Sequence, residues 1–275
     1  CGDIIKKQQK PTETGRNKTE VAMLSAERQK AIIDQMKQKG SAVVNELAAL
    51  FCVTEETIRR DLQKLEKAGF IVRTHGGAVL FDDSLVNLSS EIRETLNKEG
   101  KMAIAKEAAK QIQAGDILFF DASTTVYFLA REIKNMKDIT VITNSLRIIN
   151  ELIGNEKIQT VCIGGTFNAI NKSFVGKNNE TIAGTYAATK CFLSCNGIVP
   201  EIGILERNAE EAFIKKIMCD NSNEVIVLSD KTKLGRTRLN IVAPVSRATL
   251  LITDSEKDND VICRIIEKGL KVAFV

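Results

Sequence analysis

Two short runs of side chains in this sequence have the composition to bind anions and base edges. The first, Thr57-Ile58-Arg59-Arg60-Asp61-Leu62-Gln63-Lys64, sets cationic and amide donors between aliphatic residues. Arginine reaches guanine through two parallel N–H donors and glutamine pairs with adenine through its amide, while other Arg and Lys side chains neutralise phosphates. The second, Asp121-Ala122-Ser123-Thr124-Thr125, follows the apolar run Ile117–Phe120 and places three hydroxyls ahead of a helical pattern. Hydroxyls and free amides at a helix N-terminus suit a phosphate, which the helix dipole also favours. The chain has one histidine and seven cysteines with no Cys-x-x-Cys spacing. That usage removes most histidine-dependent triads, zinc frameworks and disulfide scaffolds, fits a reducing cytoplasm, and calls for no metal and no cofactor.

Each run needs an element to hold it. Ser25 is a helix N-cap, with Ile32, Ile33 and Met36 at helical spacing and Gly40 as the stop. A second helix is predicted over residues 44–51, then a tight turn at Cys52-Val53. Thr54 caps a third helix that runs to Lys67. On it Ile58, Leu62 and Leu65 fall within roughly 60° of one another at ~100° per residue, while Glu56, Arg60, Gln63 and Lys67 project from the other side and Thr57 and Arg59 flank them. Residues 70–80 then read as strand, Gly76-Gly77 turn and strand, a wing in which Arg73 meets a phosphate or the minor groove and His75 serves the turn. A small helical bundle with a merely solvated third helix would show a similar charged face. Helix lengths, turn and glycine hairpin together favour a winged helix-turn-helix that reads double-stranded DNA. Its candidate contacts are Thr54, Glu56, Thr57, Arg59, Arg60, Gln63, Lys64, Arg73 and His75. Residues 1–80 carry 14 Lys and Arg against 10 Asp and Glu, and the rest of the chain 25 of each, so the net charge of +4 sits wholly in this part.

The remainder alternates short apolar runs with amphipathic ones, the pattern of an open, mostly parallel α/β sheet. Strands are predicted over 117–120, 140–143, 161–163, 191–193, 224–228, 250–253 and 272–274, and helices over 101–112, 126–133, 144–153 and 209–219. Ligands bind such sheets at the carboxyl ends of the strands. The loop at Asp121, Ser123, Thr124 and Thr125, the Asn144-Ser145 and Gly164-Gly165 pairs and the loop after Leu193 are therefore expected to converge on one crevice. Lys190 and Lys233, beside strand ends, are placed to neutralise a phosphate. The same features have plainer uses: Ser and Thr cap helices, surface lysines are solvated, and paired glycines permit tight turns. Cys162, Cys191, Cys195, Cys219 and Cys263 lie in or near apolar segments and read as core thiols rather than a redox or metal switch.

Met23-Leu24-Ser25-Ala26-Glu27-Arg28, Thr57-Ile58-Arg59-Arg60-Asp61-Leu62 and Arg73-Thr74-His75-Gly76-Gly77-Ala78, in that order, resemble the DeoR family of bacterial sugar-metabolism regulators. The resemblance runs through nearly all of residues 25–254. It implies a DNA-binding head joined to an effector domain related in fold to ribose-5-phosphate isomerase, with a phosphorylated sugar as effector and repression as the usual outcome. It places the phosphate loop on 121–125, with Ser123 where glycine is frequent, and links Lys190 and Lys233, and more weakly Asn144 and Asn196, to the sugar-phosphate pocket. Cys52 stands where the family has glycine, and Val43 where it has a Ser or Thr cap.

The expected organisation is a polar tail or upstream extension over 1–22, the head over 23–80, a linker over 81–98 and the effector domain over 99–275. One head makes too few base contacts for genomic specificity, so a homo-oligomer is expected. No apolar run approaches the length of a membrane span, and a cytoplasmic protein without a membrane partner is expected. An isomerase carrying a DNA-binding head is the alternative function. It needs a carboxylate base, yet Ser194-Cys195-Asn196-Gly197 holds none where related isomerases have an acidic run. Asp121 and Glu206 are the remaining candidates for that role, and a domain with an empty cleft is a third possibility.

Overall fold

A computed structural model describes residues 25–39, 41–67, 71–74, 76–80 and 90–275. The tail, His75 and most of the expected linker lie outside the described residues. The chain divides into two compact units, residues 1–84 and 85–275.

The first unit comprises α1 (Ser25–Lys39), β1 (Ser41–Val43), α2 (Val44–Leu50), α3 (Glu55–Lys67), β2 (Ile71–Thr74) and β3 (Gly77–Leu80). Ile32, Met36, Leu47, Ile58, Leu62, Leu65 and Ile71 form its core, each side chain contributing about 1.5–3 kcal/mol on burial. The wing gains a strand that the residue pattern did not announce. β1 pairs antiparallel with β3, giving the order β1-β3-β2. A Cβ at Gly77 would lie 2.3 Å from the Ala42 carbonyl oxygen, so this pairing requires glycine there. Cys52 has φ 52°, the left-handed conformation that glycine adopts more cheaply. Val43 precedes α2 in extended geometry without a side-chain cap.

Asp61 is the polar anchor of this unit. It is buried within α3 and accepts from Arg28 Nε (2.6 Å), Gln29 Nε2 (2.8 Å) and Ser25 Oγ (2.9 Å) of α1. Burial pushes its carboxyl up, but these hydrogen bonds and the Arg28 charge outweigh it and hold the group below the usual carboxylate range. The ion pair thus locks α1 across α3 while leaving the opposite face of α3 to solvent.

In the second unit α4 (Ser90–Thr95) and α5 (Lys98–Ala109) precede β4 (Ile117–Phe120), α6 (Thr124–Ile133), β5 (Ile139–Thr143), α7 (Leu146–Leu152) and β6 (Ile158–Cys162). Then come β7 (Thr166–Asn168), β8 (Ser173–Val175), α8 (Lys177–Ala183), β9 (Ala188–Leu193), β10 (Gly197–Val199), β11 (Gly203–Glu206) and α9 (Ala209–Asp220). β12 (Ser222–Leu228), β13 (Asn240–Ala243), β14 (Leu250–Thr253), α10 (Asp260–Glu267) and β15 (Lys271–Phe274) complete it. Seven strands form one sheet in the order β15-β14-β12-β9-β4-β5-β6, parallel throughout. Successive side chains alternate between its faces. Leu118, Phe120 and Phe192 pack with α5, α6 and α7, whereas Phe119, Cys191 and Leu193 pack with α9 and α10. Both faces are covered, which is why these strands read as continuous apolar runs.

Three parts departed from expectation. The β7–β8 hairpin and α8 occupy residues for which no element is expected, and β10, β11 and β13 form a second, antiparallel sheet. Residues 90–98, expected as the end of a linker, fold as α4 and the turn into α5. No helix among the described residues is long and apolar enough to cross a membrane.

Candidate functional site

Thr54 opens α3 as expected: its Oγ1 accepts from the Thr57 amide at 3.3 Å. The buried stripe of Ile58, Asp61, Leu62 and Leu65 turns Glu56, Arg59, Arg60, Gln63 and Lys64 outward, all exposed, with Thr57 at the edge of the face. Arg59 pairs with Glu55 at 2.8 Å and Arg60 with Glu56 at 3.2 Å, one helical turn apart. The Arg60 side chain remains 74% exposed within its pair. Such surface pairs hold by less than about 1 kcal/mol, so a phosphate or a base edge can displace them. On β2 the Arg73 amide donates to Glu66 Oε1 at 3.2 Å, and its exposed guanidinium lies 3.9 Å from the same carboxylate.

The second site is set by topology. From β4 the chain winds outward through β5 and β6; from β9 it winds the other way through β12, β14 and β15. The switch point therefore falls between β4 and β9, and the strand ends beside such a point are where open parallel sheets bind ligands. Asp121 leaves β4 at this point and is fully buried. Its Oδ1 accepts from Ser123 N (3.1 Å) and Ser123 Oγ (2.6 Å), and its Oδ2 accepts from Ser194 N (3.1 Å) and lies 3.1 Å from Lys215 Nζ. Asp121, expected to contact a ligand, is engaged here by its own chain. Both oxygens are consumed in tying the loop after β4 to the loop after β9.

Ser123 is the N-cap of α6, its Oγ accepting from Val126 N at 3.3 Å. Ser145 caps α7 in the same way, accepting from Ile148 N at 3.4 Å. The two threonines differ. Thr124 and Thr125 sit in the first turn of α6, and their hydroxyls have no hydrogen-bond partner among the described residues. First-turn amides also lack helical acceptors. Asn144, after β5, donates through Nδ2 to the Phe174 carbonyl at 2.9 Å, while its buried Oδ1 has no partner. Lys233 ends a short 3-10 turn that Asp230 caps, following β12. That loop is drawn against Asn196-Gly197: Gly235 N donates to Ile198 O at 2.9 Å, and a Cβ at Gly197 would lie 1.9 Å from the Arg236 carbonyl oxygen.

Lys190 lies at the wrong end. It is inside β9, opposite Leu118, and its ammonium binds both oxygens of Asp116 (2.6 and 2.8 Å) before β4 begins. Each strand residue adds ~3.3 Å, so the three residues between Lys190 and the end of β9 remove it from the crevice. Burial pushes the Asp116 carboxyl up, and the hydrogen bonds from Lys190, the Gln113 amide and Thr189 together with the Lys190 charge outweigh it. The thiol reading is likewise corrected in part. Cys191, Cys195 and Cys219 are buried, and burial pushes Cys195 up to about 11, but Cys162 and Cys263 are exposed.

Residue spacing alone did not single out Lys215. It lies on α9, 5% exposed, bonded to Glu206 and to the Ser194 carbonyl as well as paired with Asp121. Burial opposes its charge, but Glu206, Asp121 and Glu211 together raise its pKa. Reciprocally, burial pushes Glu206 up and the nearby ammonium more than offsets it, leaving Glu206 below its usual range. The signal was present as Glu211 and Lys215, a turn apart, sharing a helix face with Ala212, Met218 and Cys219. A carboxylate held ionised by a buried ammonium is a poor proton acceptor. Glu206 is thus a poor base for an isomerase, and Asp121 has both oxygens engaged by Ser123, Ser194 and Lys215. Among the described residues no cluster of ligating side chains could hold a metal ion.

The family model of the DeoR-like helix-turn-helix domain matches residues 28–84, and that of the DeoR C-terminal sensor domain matches residues 96–255. The chain belongs to the DeoR family. It is similar to the HTH-type transcriptional regulator YulB of Bacillus subtilis (38% identical, covering 92% of this chain and 98% of that one). It is also similar to a putative aga operon transcriptional repressor of Escherichia coli O157:H7 (32%, covering 91% and 94%). Among solved structures, ribose 5-phosphate isomerase A of Methanocaldococcus jannaschii overlaps 50% of this chain and 55% of its own, with 20% identity and a TM-score of 0.38. This DeoR-family protein is a DNA-binding transcriptional regulator: a helix-turn-helix head is joined to a sensor domain.

Proposed function

We propose that this regulator represses carbohydrate genes by binding their operator as a homo-oligomer, and that a phosphorylated sugar in the sensor crevice releases it. The head is taken as residues 23–80, the linker as 81–98 and the sensor as 99–275. Arg59, Arg60, Gln63 and Lys64 read the major groove and its phosphates, with Thr54, Glu56 and Thr57 at the helix start and Arg73 and His75 on the wing. One observation carries the effector half. At the switch point the first turn of α6 carries two threonine hydroxyls and the Thr124 and Thr125 amides; Asn144, with its unpartnered Oδ1, follows the neighbouring strand β5, and Lys233 follows β12. Donors and a helix N-terminus suit the phosphate, and an acceptor suits a sugar hydroxyl. Repressor names among the relatives support the sign. A protein that reads genomic duplex and senses a phosphosugar works in the cytoplasm.

The ligand shifts the equilibrium only through its preference for the state that binds DNA weakly. Fluorescence anisotropy on an operator fragment tests this, with a panel of sugar phosphates and the matching free sugars. At least one phosphosugar should weaken operator binding about tenfold or more while its free sugar does not. If no member of the panel changes operator affinity, the effector assignment is wrong, whatever the head binds.

A further inference from the structure

The β7–β8 hairpin is bonded on one side to the crevice and on the other to α4, the helix that follows the chain segment leading from the head. Toward α4, the Ile170 carbonyl accepts from Ser90 N at 2.8 Å, and Asn171 Oδ1 accepts from Arg93 Nη2 at 2.8 Å. Toward the crevice, Phe174 N donates to the Asn144 carbonyl at 2.8 Å, and the Asn144 amide donates back to the Phe174 carbonyl. Asn171 joins the two sides through one side chain: while accepting from Arg93, it donates through Nδ2 to the buried Glu211 at 3.0 Å. Ser173 Oγ donates to the same carboxylate oxygen at 2.6 Å, and Glu211 lies one helical turn from Lys215, which pairs with Asp121 at the switch point.

This path is saturated in its middle and unsaturated at both ends. Asn144 Oδ1 at the crevice and Arg93 Nε on α4 are buried without a hydrogen-bond partner among the described residues. A path with an idle acceptor at one end and an idle donor at the other has bonds to gain by rearranging, which a satisfied network does not. We propose that the hairpin is the coupling element of the regulator. A ligand hydroxyl on Asn144 Oδ1 repositions Phe174 and the hairpin, and Asn171 carries that change to Arg93 and α4, altering the connection to the head. Asn171 is then a positioning residue that sets response without setting ligand affinity. The inference rests on the reading of the crevice as an effector site, and it adds how occupancy leaves that site.

The experiment uses the full chain and separates binding from response. Ribose 5-phosphate, fructose 1-phosphate, glucose 6-phosphate and inorganic phosphate are titrated against wild type, Asn171→Ala and Arg93→Lys, with and without an operator fragment. For the sugar phosphate active on wild type, affinity in the absence of DNA should stay within about threefold in both variants. The factor by which it weakens operator binding should fall at least about fivefold. Undiminished release in both variants removes the hairpin from the mechanism. A tenfold or greater loss of ligand affinity in both would place Asn171 and Arg93 in the pocket instead, and also overturns the coupling role. If Asn171→Ala does not fold, Arg93→Lys, which keeps the charge, decides by the same two criteria. Wild type that answers to none of the probes would fail the effector reading itself, an outcome distinct from variants that bind and still respond.

Discussion

Lys215→Met removes one ammonium from a buried cluster and leaves Asp121 and Glu206 facing one another without their shared partner. The methionine fills the aliphatic volume, so the cost is electrostatic. Breaking a buried pair by deleting one member costs about 3–5 kcal/mol, because the remaining charge stays buried and uncompensated. For a unit of this size each kcal/mol moves the midpoint by about 2–4 °C, so the sensor transition should fall by roughly 6–20 °C at pH 7. The sign with pH follows from the shifts. Glu206 is held below its unfolded value, so its stabilisation is present above about pH 4.5 and lost as pH falls through the lower folded value. Lys215 is held above its unfolded value of 10.5, so its stabilisation is complete below that pH and lost only as pH rises through the folded value. Both are intact at neutrality. In the variant Glu206 loses the ammonium that helps to hold its carboxyl below the usual range, so the deficit should shrink as pH drops from 7 toward 4. Circular dichroism melts of both proteins across that range provide the measurement. A variant melting within about 2 °C of wild type at pH 7, or a deficit that does not change with pH, would refute the ion-pair account.

Arg60→Ala should weaken operator binding by about 1–3 kcal/mol through loss of a bidentate base contact, with melting and phosphosugar affinity unchanged because its pair with Glu56 is exposed; equal operator affinity would remove Arg60 from the groove. Thr124→Val with Thr125→Val deletes two hydroxyls that have no partner among the described residues, so phosphosugar affinity should fall at least about tenfold while operator binding in its absence is kept; calorimetry showing unchanged affinity would place the phosphate elsewhere. Cys52→Gly should raise the stability of the head by up to about 1 kcal/mol by relieving a left-handed residue, and chemical denaturation showing a loss would mean that side-chain contacts outweigh backbone strain there.

Local signals located the elements that carry their own pattern. The aliphatic stripe of α3, the glycine pair of the wing and the apolar runs ending at Phe120, Thr143 and Leu193 were legible because periodicity and turn chemistry act within a few residues. Where the pattern is short, it failed. The strands β7, β8, β10, β11 and β13 have three or four residues each, too few for alternation to stand out from a loop. β1 is held by the close approach of Gly77 to Ala42, a contact between distant segments that no local window contains.

The amino-acid order alone was enough to name the family, the head with its exposed donors, and the hydroxyl loop at a strand end, since each depends on neighbours along the chain. Which polar residues are engaged within the protein came only from folding. Asp121 and Lys190 both looked like ligands, yet Asp121 is spent on stitching the switch point and Lys190 on Asp116 at the far end of the sheet. Lys215, Glu211 and Asn171 gained their importance from partners that residue spacing does not bring together. A charge buried at a strand crossing must find its counterpart in space, and the sheet order that supplies it is set by packing across the whole domain.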